Sequence, residues 1–491
     1  MEIMTKEQKL YTGSICTFHP IRYGVSKTGK PIYALQSFDP LLPQNLRIVY
    51  GGKSKGKIIL VFQWNNDCDR AILHHVLGVA SPEILPLTLQ YHYQIQRKEY
   101  KSVNLPLQKN TLESTLQRTN LTHLPLFSVD PLGCSDIDDA FSLEISDSQI
   151  KVGIHIAQPI IWLTLDQIKE RAQVAFSTFY GKNGQILQPL WSPDIQQQSS
   201  LLKGQERAAY SIFFVFEKNC SLEKVQTFSM PSIVMNHCAT HYDDLEYVPL
   251  QSLLSCTRNL WNQPEMDTHE MVAQWMMEAN SFVGKNFPGC PFRVQKDSNY
   301  PTLPSLVQTQ THMEKIFNHY TMEKATYSLE DKFHSSLQRE NYVHFTSPIR
   351  RMMDCLVHWH ITYSPYFSKE DWSLERMNEL DQQTKRFHRD MKLWENLETM
   401  LKEKEGIVQT GFLYEKITPG TWRVYFEGIG FLRVTVVDVK MEHLIVQEKL
   451  DSYERGNSCH FRIFRLQEGF LPRQKIMVVP EFSLLEEGVK K

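Results

Sequence analysis

Ser128-Val-Asp-Pro-Leu-Gly-Cys-Ser-Asp-Ile-Asp-Asp-Ala-Phe141 places four carboxylates within ten residues and contains no lysine or arginine. The four carboxylates are Asp130, Asp136, Asp138 and Asp139. Pro131 and Gly133 interrupt regular structure after the first aspartate, so the chain must turn there. We expect this turn to bring Asp130 back beside the other three.

Four like charges in a small volume repel one another and raise their own pKa values. A bound divalent cation relieves this repulsion, and oxygen ligands on a short loop favour Mg²⁺ or Mn²⁺ over Zn²⁺. An acidic surface loop, with aspartates as turn and helix-cap residues, is the alternative that the spacing leaves open. An EF-hand calcium loop fits poorly, because Phe141 and Asp147 stand where that loop needs glycine and glutamate. Strand-like apolar patterns on both sides of the aspartates favour the cation site.

Composition places the chain among ordinary globular proteins. Its 491 residues suffice for two to four domains, and 42% are hydrophobic and 22% charged. The formal net charge of -2 means that any surface for nucleic acid must be local. Nine scattered cysteines, with no Cys-x-x-Cys spacing, suit a reducing compartment. We find neither a signal peptide nor an apolar run that could span a membrane, and expect no membrane partner.

The amino-terminal region, residues 1–105, predicts a small β domain of the OB or cold-shock type. Its predicted strands are Gly13–Phe18, Pro31–Leu35, Leu46–Tyr50 and Lys57–Phe62. Turn lysines interleave with Tyr23, Tyr33 and Tyr50, which is how OB barrels hold single-stranded nucleic acid. Solvated lysines and core tyrosines are the alternative that this pattern leaves open.

The middle region, residues 106–404, predicts a mixed α/β domain after a polar linker. Ile150–Ala157 and Ser211–Phe216 have strand patterns, whereas Met271–Phe287 and residues 371–404 have helical periodicity. Its second chemical segment is Tyr342-Val-His-Phe-Thr-Ser-Pro-Ile-Arg-Arg351.

Ser347-Pro348 resembles a helix start, which would place Arg350 and Arg351 in the opening turns of a helix running to about Ile361. Such a terminus with two guanidinium groups can bind phosphate. The alternative is that one or both arginines pair with Asp354 or with the aspartates of the first segment. The residues alone favour neither interpretation.

The carboxyl-terminal region, residues 405–491, predicts a second OB-like barrel. The predicted strands are Gly406–Tyr414, Trp422–Phe426, Phe431–Val437, His443–Val446 and Lys475–Val479. Arginines beside aromatic residues, such as Arg423, permit contact with nucleic acid without requiring it.

Together these segments resemble the ribonuclease II (RNB) family of processive exoribonucleases. Phe127–Ala140 is similar to the family's metal-binding signature, and is closest to the eukaryotic, exosome-associated branch. His344–Arg351, followed by Asp354 and His358, is similar to the second signature. The resemblance covers about residues 121–400. It implies an α/β mixed catalytic RNB domain flanked by small all-β OB-fold barrels, cold-shock-like at the amino terminus and S1-like at the carboxyl terminus.

The resemblance implies hydrolysis of single-stranded RNA, processively from the 3′ end, to nucleoside 5′-monophosphates, with Mg²⁺ or Mn²⁺ as the cofactor. It assigns the metal to Asp130, Asp136, Asp138 and Asp139, catalysis to Asp138, Asp139 and Arg350, and RNA binding to Tyr180, His344, Ser347, Arg350 and Arg351. Tyr180 corresponds to the tyrosine that stacks on the 3′-terminal base. The implied partners are RNA and a helicase or exosome-like complex. We expect a cytoplasmic monomer, with nucleus and mitochondrion left open.

Four positions depart from the family pattern. They are Gln158 for an aspartate, Leu202 for an arginine, Gln295 for a histidine and Met352 for a tyrosine. None removes a core aspartate, so we expect an active enzyme whose substrate channel and turnover rate are altered. The alternative is a catalytically weak or inactive RNA-binding or scaffold protein on the same fold. The choice of RNA over DNA as the substrate rests on the resemblance alone.

Overall fold

The computed structural model describes residues 9–18, 22–65, 69–95, 107–217, 226–296, 323–330, 332–363, 373–400, 406–435, 450, 452, 454, 457–466 and 470–480. Among these residues, no helix is both long and apolar enough to cross a membrane.

The amino-terminal region forms a seven-stranded sheet with strand order β2-β3-β5-β7-β6-β1-β4. Its elements are β1 Leu10–Cys16, β2 Arg22–Val25, β3 Pro31–Ala34, β4 Gln36–Ser37, β5 Arg47–Val49, β6 Lys57–Trp64, β7 Arg70–Val79 and α1 Leu85–His92. All four predicted strands are present, with shifted ends. Tyr33 and Tyr50 are buried in the core of this sheet and only Tyr23 is exposed. The two buried tyrosines are therefore core residues, as the alternative interpretation of the sequence predicted, and do not form a surface for RNA.

The central region is built on a mixed sheet. Its elements are β8 Thr119–Asn120, β9 Leu126–Asp130, β10 Asp139–Ile145, β11 Gln149–Ala157, α2 Leu165–Ala172, β12 Phe179–Tyr180, β13 Ile186–Gln188, α3 Pro193–Ser199, β14 Glu206–Glu217, β15 Gln226–His241, α4 Val248–Trp261 and α5 Thr268–Asn286. The strand order is β14-β11-β10-β9-β15-β8, and β14 also pairs with β15. This additional pairing closes five strands into a ring, and α4 and α5 pack on it around the fully buried Trp275.

Short strand pairs and two helices complete the central region. They are β16 Phe292–Val294, β17 Thr326–Ser328, β18 Phe333–His334, β19 Arg339–Glu340, α6 Met352–Tyr363 and α7 Leu374–Met400. The α5 helix begins three residues before the predicted start, because Asp267 and Glu270 form a capping box. The predicted ends of the last helix, beyond residues 373 and 400, lie outside the described residues.

The carboxyl-terminal region forms a five-stranded sheet of order β22-β21-β20-β23-β24. Its strands are β20 Ile407–Thr418, β21 Thr421–Phe426, β22 Gly430–Thr435, β23 Ser458–Arg465 and β24 Ile476–Pro480. The predicted strand His443–Val446 lies outside the described residues. Strand β23 was not predicted from the sequence, although its alternating residues Cys459, Phe461 and Ile463 are all buried, which is a typical strand pattern.

The long helix α7 joins the two flanking sheets to the central region. Phe387, Met391 and Trp394 on this helix share one apolar cluster with residues of both flanking regions. The rings of Phe38 and Phe470 stack in that cluster at 6.0 Å, which brings the two flanking regions into direct contact. The three regions therefore meet in one apolar cluster along α7.

Asp390 on α7 is buried and accepts hydrogen bonds from both flanking regions. Its Oδ2 accepts from the Tyr93 hydroxyl at 2.6 Å, and its Oδ1 accepts from the Arg473 Nε at 3.1 Å. Tyr93 follows α1 and Arg473 precedes β24. One carboxylate thus ties the amino- and carboxyl-terminal regions to the same turn of helix.

We expect Asp390→Ala to lower the free energy of unfolding by about 3 kcal/mol, because it leaves one buried hydroxyl and one guanidinium without their acceptor. Urea unfolding at fixed pH measures this change. Glu395→Ala on the same helix removes only a surface pair with Lys392 and is expected to cost less than about 1 kcal/mol. Equal effects of the two substitutions would contradict the role of Asp390.

A polar chain crosses the interior of the central sheet at His155. Its Nε2 pairs with Ser142 Oγ at 2.9 Å and its Nδ1 with Ser211 Oγ at 2.7 Å, and Ser211 continues to Ser232 at 2.6 Å. Burial is the main reason why the pKa of His155 falls to about 3, with Lys151 adding to the shift. His155 is therefore held neutral between four strands.

We expect acid to destabilise the protein partly through His155. An unfolded histidine has a pKa near 6.5, so only the unfolded chain takes up this proton as pH falls from about 6.5 toward 3. The stability that neutral His155 contributes is complete above that range and is lost on acidification. Between about pH 7.5 and about pH 5.5, the wild type should lose about 1.4 kcal/mol more than His155→Asn in urea unfolding. Equal losses in the two proteins would contradict this assignment.

Candidate active site

The predicted turn after Asp130 is present and connects β9 to β10. The Cys134 N–H donates to the Pro131 carbonyl at 3.0 Å, and Gly133 adopts a φ of +82°, which favours glycine. Asp130 is the last residue of β9 and Asp139 the first of β10. The ends of two neighbouring strands therefore hold the first and last carboxylates of the segment, as the sequence predicts.

The buried Ser200 stabilises the loop that carries Asp136 and Asp138 through hydrogen bonds. Its hydroxyl accepts from the Ile137 N–H at 2.9 Å and donates to the Ser135 carbonyl at 2.8 Å. The Leu201 N–H in turn donates to the Ile137 carbonyl at 3.0 Å. A loop with no regular hydrogen bonding thus keeps a defined shape.

Asp138 joins the two predicted segments. Its side chain is 2% exposed; Oδ1 accepts from the Ile349 N–H at 2.8 Å and Oδ2 from the Arg350 Nε at 3.1 Å. Burial raises the pKa of Asp138 to about 7, against the lowering effect of the Arg350 charge. The structure therefore places Arg350 beside the aspartates, 212 residues along the chain from its partner.

Asp136 has its own set of partners. Its Oδ2 accepts from Gln196 Nε2 at 2.7 Å and, more weakly, from the Tyr180 hydroxyl at 3.4 Å. Burial raises the pKa of Asp136, and these hydrogen bonds oppose the shift. Gln196 was not predicted from the sequence, because nothing in the spacing of α3 points to a contact with an aspartate 60 residues earlier.

Asp130 and Asp139 carry the least compensated charge. The Asp130 Oδ2 is buried and makes no hydrogen bond among the described residues. Burial raises the pKa of Asp130 to about 6. The pKa of Asp139 lies well above its usual range, first because of burial and then because of the charges of Asp130 and Asp138. The repulsion expected from the sequence therefore acts on Asp139, through Asp130 and Asp138, whereas burial is what raises the pKa of Asp130.

Within the described residues, no three carboxylate, histidine or cysteine side chains converge closely enough to form a complete protein-only cation site. The donor chemistry nevertheless fits a hard cation, because Asp130 offers an orphaned buried oxygen and Asp139 is repelled by its neighbours. Mg²⁺ commonly uses one or two carboxylates and keeps several waters. Asp130 and Asp139 are therefore the residues best suited to hold Mg²⁺, whereas Asp138 is already paired with Arg350.

The helix near the second segment begins later than predicted. The Ser347 carbonyl accepts from the N–H groups of Arg350 and Arg351, which closes a turn, and α6 starts only at Met352. The Ser347 N–H donates to Asp354 Oδ1 at 2.8 Å, and its hydroxyl oxygen accepts from Arg350 Nη2 at 3.3 Å, so this serine does not cap the helix as expected. The predicted placement of both arginines in the opening helical turns is wrong, because the buried Asp354 holds the preceding chain in a turn.

The two arginines have different partners. Arg351 pairs with Asp354 through two nitrogens, Nε and Nη2, the latter at 2.7 Å from Oδ1, and Asp354 is fully buried. Arg350 pairs with Asp138 and remains 51% exposed. The structure therefore shows the pairing interpretation for both arginines, with Asp354 for Arg351 and with Asp138 for Arg350. Arg350 keeps the accessible guanidinium, and its binding of phosphate stays a prediction.

His344 lies behind this turn. Its Nδ1 pairs with the Tyr327 hydroxyl at 2.6 Å, and burial together with the charge of Arg351 holds the pKa of His344 well below its usual range. His344 does not line either of the two cavities described next. Its assignment to RNA binding stays a prediction without a contact that supports it.

Tyr180 and Arg350 stand between two adjoining cavities. The first, which we term the carboxylate cavity, has a volume of about 450 Å³ and is lined by the four aspartates, Tyr180, Arg350 and Tyr242. The second, the Lys385 cavity, has about 310 Å³ and is lined by Tyr180, Ser347, Arg350, Arg351, Lys385 and His388. The structure therefore brings together every predicted site residue except His344.

Tyr242 is a lining residue that sequence reasoning missed. Its pKa rises to about 12, mainly by burial and then by the charges of Asp139 and Asp130. It follows the end of β15, which runs parallel to β9 and pairs His241 with Asp130. That parallel pairing joins distant segments, so no local signal in the sequence could have placed Tyr242 in the cavity.

The four departures from the family pattern lie outside both cavities. Gln158 is fully buried; its Oε1 accepts from Arg118 and its Nε2 donates to Thr362. Gln295 donates to the Glu323 carbonyl, and Met352 is buried in an apolar cluster. Leu202 packs beside another apolar cluster. These contacts are structural, so the expected alteration of the substrate channel has no support at these positions.

A family model described as "RNB domain" matches residues 118–249 and 250–363, half of the chain. Ribonuclease R of Chlamydia pneumoniae is 25% identical over 331 residues, which cover 51% of this chain and 48% of that protein. The chain thus spans about half the length of this relative.

Two solved structures share the fold. RNase R of Mycoplasma genitalium, in complex with ribose-methylated single-stranded RNA, matches with a TM-score of 0.73 and 17% identity over 98% of this chain and 91% of that chain. Yeast Ssd1, described as a pseudonuclease, matches with a TM-score of 0.64 and 14% identity over 89% of this chain and 66% of that chain. At these identities the likeness concerns the fold alone.

Proposed function

Because the chain belongs to the RNB family, we propose that it is a 3′-to-5′ exoribonuclease that hydrolyses single-stranded RNA to nucleoside 5′-monophosphates. One observation carries the proposal: four aspartates, Arg350 and Tyr180 line one cavity. Acidic residues suit cation-assisted attack by water, and an accessible guanidinium suits binding of a phosphodiester. Processive action and the use of Mg²⁺ or Mn²⁺ are parts of the same proposal.

Arg350 is the proposed phosphate-binding residue. Its guanidinium is exposed on one side and bound to Asp138 on the other. A substrate phosphate competes with Asp138 for this group, and Asp138 Oδ2 then becomes free to accept a proton from the attacking water. Burial already raises the pKa of Asp138 to about 7, near the range that general-base catalysis requires. Substrate binding would thus release Asp138 from Arg350 and make it available as the general base.

Asp130 and Asp139 are the proposed residues that hold the divalent cation, with Asp136 and Asp138 completing the set. The cation would supply stabilisation of phosphoryl charge and a bound water of lowered pKa. Tyr180, whose hydroxyl faces Asp136, is the proposed stacking surface for the terminal base. Its backbone N–H donates to His388 Nε2 at 3.2 Å, which fixes the tyrosine against α7.

The flanking sheets are proposed to bind RNA upstream of the site, as cold-shock-like and S1-like OB folds. In the carboxyl-terminal sheet, the Arg423 guanidinium lies 4.9 Å from the centre of the Phe431 ring, which offers a cation and an aromatic face together. An exosome-like or helicase partner, a monomeric state and a cytoplasmic location remain proposals from the family resemblance.

An RNA-binding protein without nuclease activity is the second candidate. The lack of three converging carboxylates among the described residues favours it. Yeast Ssd1, which is described as a pseudonuclease, is an example of such a protein on this fold. Retention of all four aspartates together with Arg350 favours the enzyme, because a binding protein has no need for buried, mutually repelling carboxylates.

The test is incubation of 5′-labelled single-stranded RNA with catalytic amounts of the protein in Mg²⁺, Mn²⁺ or EDTA. We expect the labelled RNA strand to shorten from its 3′ end in the presence of either metal. The released product should be mononucleotides. If the RNA binds but is not shortened in any of the three conditions, the proposal of an enzyme is wrong and the RNA-binding protein becomes the proposed function.

A further inference from the structure

A third cavity, of about 330 Å³, lies between β14 and one face of α5. It shares no lining residue with the carboxylate cavity or the Lys385 cavity. Five aromatic side chains contribute to its wall, and we term it the aromatic cavity: Phe214, Phe216, Trp261, Trp275 and Phe282. Its volume is at the lower end of the roughly 300–1,000 Å³ of small-molecule sites.

The wall of the aromatic cavity is rigid. Trp275 is fully buried, and its indole N–H donates to Thr257 Oγ1 at 2.9 Å. The ring of Trp261 stands edge-on to Trp275 at 5.0 Å. Trp261 and Phe282 are themselves only half-buried, so their rings remain available to a planar ligand.

One face of α5 forms a large part of the cavity wall and carries several of its polar groups. Glu278, Ser281, Phe282 and Lys285 follow the helical spacing i, i+3, i+4, i+7 and all line it. The Ser281 Oγ is buried and makes no hydrogen bond among the described residues. A buried hydroxyl without a partner costs free energy, and a ligand in the cavity would relieve that cost.

The charges around the cavity leave one positive group available. Glu278 forms an ion pair with Arg339 at 2.7 Å, so these two charges balance each other. Lys285 is exposed at the rim, and no hydrogen bond or ion pair to it is found among the described residues. The cavity therefore combines aromatic rings, the hydroxyl-bearing residues Ser281 and Thr227, and one unpaired ammonium group.

We propose that the aromatic cavity binds a small anion with a planar aromatic base, of the nucleoside 5′-monophosphate class. Aromatic rings stack on any base, a lysine binds phosphate as a point charge, and the serine hydroxyl satisfies a polar atom of the ligand. This binding needs neither a metal nor nuclease activity, because none of the groups involved belongs to the carboxylate cavity.

The experiment is calorimetric titration of adenosine 5′-monophosphate into the full chain in EDTA, without RNA. We expect saturable binding that weakens about tenfold or more in Lys285→Glu, because a phosphate would then meet a negative rim. Adenosine, which lacks the phosphate, should bind correspondingly more weakly. Lys392→Glu, an exposed lysine of α7 outside the cavity, serves as the matched control and should bind like the wild type.

Arg350→Ala removes the proposed phosphate-binding group of the carboxylate cavity and should leave this binding unchanged. Unchanged affinity in Lys285→Glu, equal affinity for adenosine, or loss of binding in Arg350→Ala would each overturn the proposal. Absence of saturable binding by the folded wild type would overturn it as well. A failed nuclease assay would have no bearing on this result, because the titration contains neither RNA nor metal.

Discussion

Asp138→Asn is expected to lower the rate of RNA degradation by about a thousandfold while RNA affinity stays within about threefold of the wild type. The amide keeps the shape of the side chain and one oxygen for the Ile349 N–H. It removes the negative charge that faces Arg350 and the group proposed to accept the proton of the attacking water. The chemical step should therefore suffer far more than binding does.

The measurement is single-turnover degradation of labelled RNA in Mg²⁺, together with filter binding of the same RNA in EDTA. Asp147→Asn is the matched control, because Asp147 is exposed in the hairpin after β10 and lies outside the carboxylate cavity. Degradation at the wild-type rate by Asp138→Asn would remove this residue from the proposed mechanism.

Arg350→Ala is expected to lower the degradation rate by about a thousandfold, the effect typical of an arginine that stabilises transferring phosphoryl charge. Arg350→Lys should recover less than about a tenth of the lost activity, since an ammonium cannot make the paired contacts of a guanidinium. If the arginine acts chiefly in the transition state, kcat falls with little change in KM.

Steady-state rates on a short single-stranded RNA give both constants. Arg376→Ala serves as the control, because Arg376 forms a surface pair with Glu379 at 3.0 Å and lies outside both cavities of the site. A rise in KM alone would reduce Arg350 to a binding residue, and unchanged kinetics would exclude it from the site.

Arg351→Ala is expected to act on stability, in contrast to its neighbour. It leaves the fully buried Asp354 without its charge partner, and loss of one member of a buried pair costs about 3–5 kcal/mol. Urea unfolding of the Arg350→Ala and Arg351→Ala variants separates the two roles. A larger loss of stability in the Arg350 variant would reverse the assignment.

The difference between these adjacent arginines illustrates the limit of sequence reasoning here. Both have the same chemistry, and the pattern around Ser347 predicts a helix start that would expose both to phosphate. The structure instead commits the Ser347 N–H to Asp354 and delays the helix to Met352. That choice depends on the burial of Asp354, which local spacing does not reveal.

The aspartate segment shows the opposite case. Its turn depends on Pro131 and Gly133, and its strands depend on the period-two patterns that flank it, all of which are local properties. Helix α5 was likewise readable from its apolar spacing and from the Pro288-Gly289 pair that follows it. Elements of this kind are predictable because neighbouring residues specify their backbone conformation.

By itself, the sequence determined the order of the three regions, the turn after Asp130, and the family to which the chain belongs. Only the tertiary structure decided which aspartate faces Arg350, that Tyr242 and Gln196 join the site, and that the departures at Gln158 and Gln295 are structural. The physical reason is that turns and amphipathic patterns act over a few residues. Burial and charge pairing instead act between segments far apart in the chain, such as those of Asp138 and Arg350, which are 212 residues apart.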